Sequence, residues 1–207
     1  MPKHLGYTDT QAVAEWVDQH VRAGHDLRQV AADVATSAQS EVSRLNADSR
    51  ITDAARAQDI AEVRALSAAR RAALGAAYQA GLRSERESIA TKLSRPGAEA
   101  RNSDPATVLV SYRDATDRAL RTSEDPAGAD GELGTLFKSA RRTGDALLER
   151  ATLATAIDRQ DVEVMEAWLD AHPGDERDLV RLADLDRTLN DTATNLMVNL
   201  EFVGPGV

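Results

Sequence analysis

Residues 52–93, TDAARAQDIAEVRALSAARRAALGAAYQAGLRSERESIATKL, contain no proline and only two glycines, Gly75 and Gly81. Ala, Arg, Glu and Leu dominate the stretch, and these side chains give up little rotamer freedom on entering a helix. With no breaker in its path, the segment predicts a single helix of roughly 60 Å at about 1.5 Å rise per residue. A helix that long is a rod or one arm of a hairpin. This one feature commits the chain to an elongated all-α architecture.

The preceding segment supplies the other arm. In residues 26–45, Leu27, Val30, Val34, Ala38, Val42 and Leu45 recur three or four apart, with Thr36, Ser37, Ser40 and Ser43 on the remaining faces. So narrow an apolar stripe suits a coiled-coil-like seam. Between the arms lies Asn46-Ala47-Asp48-Ser49-Arg50-Ile51, whose Asn, Asp and Ser compete for backbone hydrogen bonds and favour a turn, with Thr52 or Asp53 placed to cap the next helix. A short connection makes the arms antiparallel neighbours. A first helix precedes them, capped at Thr8 or Asp9 and stopped at Gly24, with Val13, Trp16, Val17 and His20 at helical spacing.

The arms are unequal. The long one carries Ile60, Val63, Leu66, Leu74, Tyr78, Leu82, Ile89 and Leu93, and its partner reaches only about half of it. The far half must be covered by the first helix, by the C-terminal helices or by another subunit, and uncovered apolar length is a reason to expect a partner. Leu74, Tyr78, Leu82, Ile89 and Leu93 are therefore candidate protein-interaction residues.

Pro96-Gly97 stops the long helix, and Asp104-Pro105 restarts the chain with an N-cap and a proline at the first helical position. The next helix presents Val108, Leu109, Tyr112, Ala115, Ala119 and Leu120 on one side. After a loop at 123–131 come helices over 132–142, 144–160 and 162–171, the last capped by Asp161 and stopped at His172-Pro173-Gly174. A final helix from about residue 175 carries a near-heptad series through Leu179, Leu182, Leu185, Leu189, Ala193, Leu196 and Leu200. The apolar tail that follows packs on its own bundle or on a neighbouring subunit, which adds Phe202 and Val203 to the candidates. The expected organisation is a first helix plus long hairpin over 1–94, a linker at 95–104, a small helical bundle over 105–201 and an extended tail at 202–207.

Aromatics make up only 3% of the chain, so the core is thin and a deep, aromatic-lined enzyme pocket is disfavoured. A net charge of −9 argues against direct nucleic-acid binding, because phosphates favour a basic patch. The absence of cysteine excludes disulfides and thiolate metal sites. No apolar run reaches the roughly 18 residues of a membrane span, and no signal-peptide core opens the chain, so a soluble protein is expected.

His20 and His25, with Asp18 and Asp26, form the one local cluster of metal-competent residues. An i, i+5 spacing does not put both imidazoles on one helical face, so a polar helix end is the better explanation. His172 suits a helix C-terminus. Gly128, Gly131 and Gly134 before Lys138-Ser139 lack the spacing of a phosphate loop. The carboxylates Asp158, Asp161, Glu163, Asp184 and Asp186 alternate with arginines as a solvated face does. Trp16 and Trp168 read as packing anchors. The expectation is a protein that is not an enzyme and has no cofactor or metal.

Two segments carry a resemblance. NADSRITDAARAQDIAEVRALSAARRAALGAAY and RTGDALLERATLATAIDRQDVEVMEAWLDAHPG are similar to helical segments of proteins encoded among the structural genes of actinobacterial tailed phages, and together cover about a third of the chain. The resemblance implies a virion or virion-assembly protein, made in the host cytoplasm and found in the virion. Its partners would be further copies of itself, as a homo-oligomer, and other virion proteins, with no direct nucleic-acid or membrane contact. The alternative is a helical adaptor or inhibitor that binds a single host protein.

Overall fold

A computed structural model of the chain describes residues 10–97, 104–125, 132–191 and Phe202. These residues form an all-α fold with the elements α1 (Thr10–Arg22), α2 (Leu27–Ala47), α3 (Asp53–Ser94), α4 (Pro105–Glu124), α5 (Leu133–Thr143), α6 (Ala146–Arg159), α7 (Val162–Ala171), a 3-10 turn at Pro173–Asp175, and α8 (Glu176–Asn190). The chain divides into two compact units, Met1–Arg83 with Asp186–Val207, and Ser84–Leu185. The division falls inside α3, and Ile89 and Leu93 near the end of that helix pack into the core of the second unit.

In the first unit the helix ends follow local chemistry. Gly24 adopts φ +69°, which lets its N–H reach the Val21 carbonyl and the His25 N–H reach the His20 carbonyl. The Asp26 carboxylate then caps α2 by accepting the Arg28 N–H at 3.0 Å. At the turn into α3, Arg56 donates to the carbonyls of Leu45 (3.2 Å) and Asp48 (3.0 Å) and pairs with Asp53. One guanidinium thereby adds donors at the end of α2, where the Leu45 carbonyl also accepts the Asp48 N–H at 3.3 Å. Asp48 accepts from the Arg50 side chain and backbone, which hold its carboxyl far below the usual range. The core of this unit joins Val17 of α1, Ala31 of α2, Leu74 of α3 and Phe202.

Phe202 is helical, and it explains one of the two glycines within α3. A Cβ added to Gly75 would lie 3.1 Å from the Phe202 Cβ and 3.2 Å from its Cγ, whereas one added to Gly81 would meet nothing within 4 Å. Gly81→Ala is expected to raise stability by about 0.5–1 kcal/mol through helix propensity. Gly75→Ala should gain nothing or lose, because Phe202, its Cβ included, must move to admit the methyl. Thermal unfolding followed by circular dichroism separates the two, and an equal gain at Gly75 would show that Phe202 is not seated there.

The second unit has the larger core, with Phe137, Leu153, Ile157, Val164, Trp168 and Leu182 all at or below 1% exposure. It also receives the end of α3. Arg150 Nη1 donates to the Leu93 carbonyl at 2.9 Å, and the Tyr112 hydroxyl donates to the Ser94 carbonyl at 3.0 Å. Burial pushes the Tyr112 hydroxyl above the usual phenol range. Glu85 of α3 accepts a two-pronged pair of bonds from Arg181 of α8, both 2.7 Å, which hold its carboxyl below the usual range.

The structure corrects the apolar side expected for α4. Leu109 is 69% exposed and Leu120 is 38% exposed, while Ala119 and Thr122 are buried and Val108, Tyr112 and Ala115 half-buried. The true stripe, 108-112-115-119-122, keeps strict four-three spacing. Leu109 and Leu120 each lie one residue, about 100° of rotation, off that line. In the last helix the described part ends at Asn190, so Ala193, Leu196 and Leu200 of the expected heptad series lie outside the described residues.

Candidate functional site

The first unit carries a half-open groove of about 720 Å³ built from α1, α2 and α3. Its apolar floor follows from the hairpin pattern. Val30, Val34 and Ala38 of α2 face Val63 and Leu66 of α3, and all five remain half-buried. The stripes on both arms are narrow, so two helices alone cannot close over them. Along α2 the groove runs from Asp26 to Glu41, about 22 Å or four helical turns.

One end is aromatic and basic. Trp16 and His20 of α1 lie with ring centroids 4.3 Å apart, and His20 Nδ1 donates to the Trp16 carbonyl at 2.8 Å. His25 sits edge-on to His20 at 5.2 Å. The Arg70 guanidinium carbon lies 4.9 Å from the Trp16 ring centroid, a cation–π placement, and Arg70 Nε is buried with no hydrogen-bond partner. Helical spacing argued against a meeting of His20 and His25, but α1 ends between them. The positive-φ turn at Gly24 brings the second ring back beside the first.

The opposite wall is acidic. Asp33 accepts from the Gln29 side-chain amide at 2.9 Å, and Asp26 accepts the Arg28 backbone N–H. Glu41 is gripped by Arg44, whose bonds hold its carboxyl below the usual range. Among the described residues, no three His, Asp or Glu side chains converge as a metal-binding group, and no helix is long and apolar enough to cross a membrane. Such a channel can hold an elongated apolar surface and read the charges along its two edges.

The residues expected to face a partner sit elsewhere. Leu74 is fully buried against Val17, Ala31 and Phe202, and Tyr78 is half-buried with its ring 5.5 Å from Phe202 and beneath the Arg28 guanidinium. Leu82 is buried within the first unit. Leu93 is buried and Ile89 half-buried in the core of the second unit. Val203 lies outside the described residues. The structure thus brings Leu74, Tyr78 and Phe202 together, and Ile89 with Leu93, as packing within the chain.

Sequence reasoning missed the groove as a site, although it marked the narrowness of the α2 stripe and the His20–His25 cluster. Neither signal could show that Trp16 and Arg70 would meet them. Compared with protein-family models, with curated proteins and with solved structures, the chain matches none.

Proposed function

We propose that the chain is a non-enzymatic structural or assembly protein of a tailed-phage particle, in the head or head–tail region, that acts through helix-mediated protein contacts. The observation that carries the contact-forming role is the groove on α1, α2 and α3. Its apolar floor, polar edges and length of about four turns fit an amphipathic helix laid between two others. The particle assignment draws on the likeness of the two quoted segments to phage structural-gene products. Mass spectrometry of purified particles and of assembly intermediates tests it. The chain is expected in one or the other at a fixed copy number, and absence from both overturns the reading.

A second reading, an adaptor that binds one host protein, is favoured by a specific observation. Leu74, Leu82 and Leu93 are buried by the chain's own packing, so they offer no broad self-association face. Cross-linking in infected cells separates the two. Capture of further copies and particle proteins supports the first reading, and capture of one host protein at fixed stoichiometry supports the second.

A further inference from the structure

The charges along the groove describe what it holds. On the α2 wall, Asp26 and Asp33 form no ion pair and stand seven residues apart, about 10 Å or two turns along the axis. Their hydrogen bonds, to a backbone N–H and to the Gln29 amide, bring neither carboxylate a cation. Glu41 differs, because Arg44 already neutralises it. Across the floor, the half-buried Arg70 lines the groove, with its guanidinium carbon 4.9 Å from the Trp16 ring centroid. A carboxylate brought to that guanidinium adds a charge-assisted hydrogen bond.

We propose that the groove binds an amphipathic helix of a partner protein, with two basic side chains two turns apart on one edge and a carboxylate on the other. The inference rests on the protein-docking role proposed for this groove. The basic edge meets Asp26 and Asp33, the carboxylate pairs with the Arg70 guanidinium, and the apolar face covers Val34 and Val63. A free anion or a nucleic-acid strand fits poorly, since Asp26, Asp33 and Glu41 line the groove with Arg70. The charge pattern sets orientation and partner choice, while the apolar floor supplies most of the affinity.

The test uses two fluorescein-labelled synthetic helices of about 18 residues, long enough to span the groove. Both have a leucine face. One has lysines seven apart on one edge and glutamate on the other, and its counterpart has the lysines and glutamate exchanged. By fluorescence anisotropy on the full chain, the first is expected to bind about tenfold more tightly than the second. Asp26→Asn with Asp33→Asn keeps an N-cap and removes both charges, and should erase that preference. Val34→Glu should abolish binding of either peptide.

Equal binding of the two peptides to the natural chain, lost in Val34→Glu, overturns the charge rule and leaves the docking role standing. Binding that Val34→Glu does not disturb places the peptide elsewhere and overturns the occupant. Binding of neither peptide also overturns the occupant, while the particle and cross-linking experiments still judge the proposed function separately. Self-association by light scattering that Val34→Glu dissolves would name a second copy instead, and likewise overturns the proposal.

Discussion

Replacing Trp168 with alanine is expected to destabilise the second unit by about 3–5 kcal/mol, the range for removing a large aromatic from a packed core. Trp168 is 1% exposed and sits where several kinds of interaction meet. Its ring stacks on His172 at 3.8 Å, tilts against Phe137 at 6.3 Å and lies 5.5 Å from the Arg150 guanidinium carbon. Its indole N–H donates to Asp175 Oδ2 at 3.0 Å, tying α7 to the 3-10 turn that follows. Truncation leaves a cavity, removes the donor from Asp175 and takes the ring from beneath Arg150, which also holds the Leu93 carbonyl at the end of α3.

Urea unfolding followed by far-ultraviolet circular dichroism measures the loss without relying on the fluorophore removed. Trp168→Phe should cost less, about 1–2 kcal/mol, since it keeps most of the ring and loses chiefly the hydrogen bond. A midpoint for Trp168→Ala within error of the natural protein would refute the account.

Phe202→Ala is expected to cost the first unit a similar amount, about 3–5 kcal/mol. The ring is 2% exposed and lies over the missing side chain of Gly75, beside Leu74 and Tyr78. Close approach to a glycine gives it contact area that no other residue at position 75 would allow. The same geometry predicts a coupling. In a Phe202→Gly background, which removes the Cβ at 3.1 Å as well as the ring, Gly75→Ala should change sign and stabilise, by the helix-propensity gain expected at Gly81. A double-mutant cycle by thermal unfolding reads this directly, and purely additive effects would place Phe202 away from Gly75.

Much of the secondary structure was legible because its signals are local. Asp104 and Asp161 cap the helices assigned to them, accepting the N–H groups of Thr107 and Val164. The proline-free run became one 42-residue helix, and the helix over 162–171 has the expected bounds. Each outcome depends on groups within about four residues of one another, whose spacing can be read off the chain. The α4 stripe shows the limit of that reading. Leu109 and Leu120 are as apolar as their neighbours, and only the position of the packing partners selects which line of residues is buried.

The candidate site lay beyond local signals. His20 and His25 meet because a helix ends between them, and Arg70 reaches Trp16 across more than fifty positions of sequence. Periodicity specifies that an apolar face must be covered but does not name the cover, since burial is non-directional and any apolar surface will serve. The sequence by itself determined the helices, their ends and the need to cover the far half of the long one. Tertiary structure alone decided that this cover comes from Val17, Ala31 and Phe202 in one unit and from the α4–α8 core in the other. It likewise decided that the stretch left open is the one between Val34 and Val63, where two narrow stripes meet and two helices cannot enclose them.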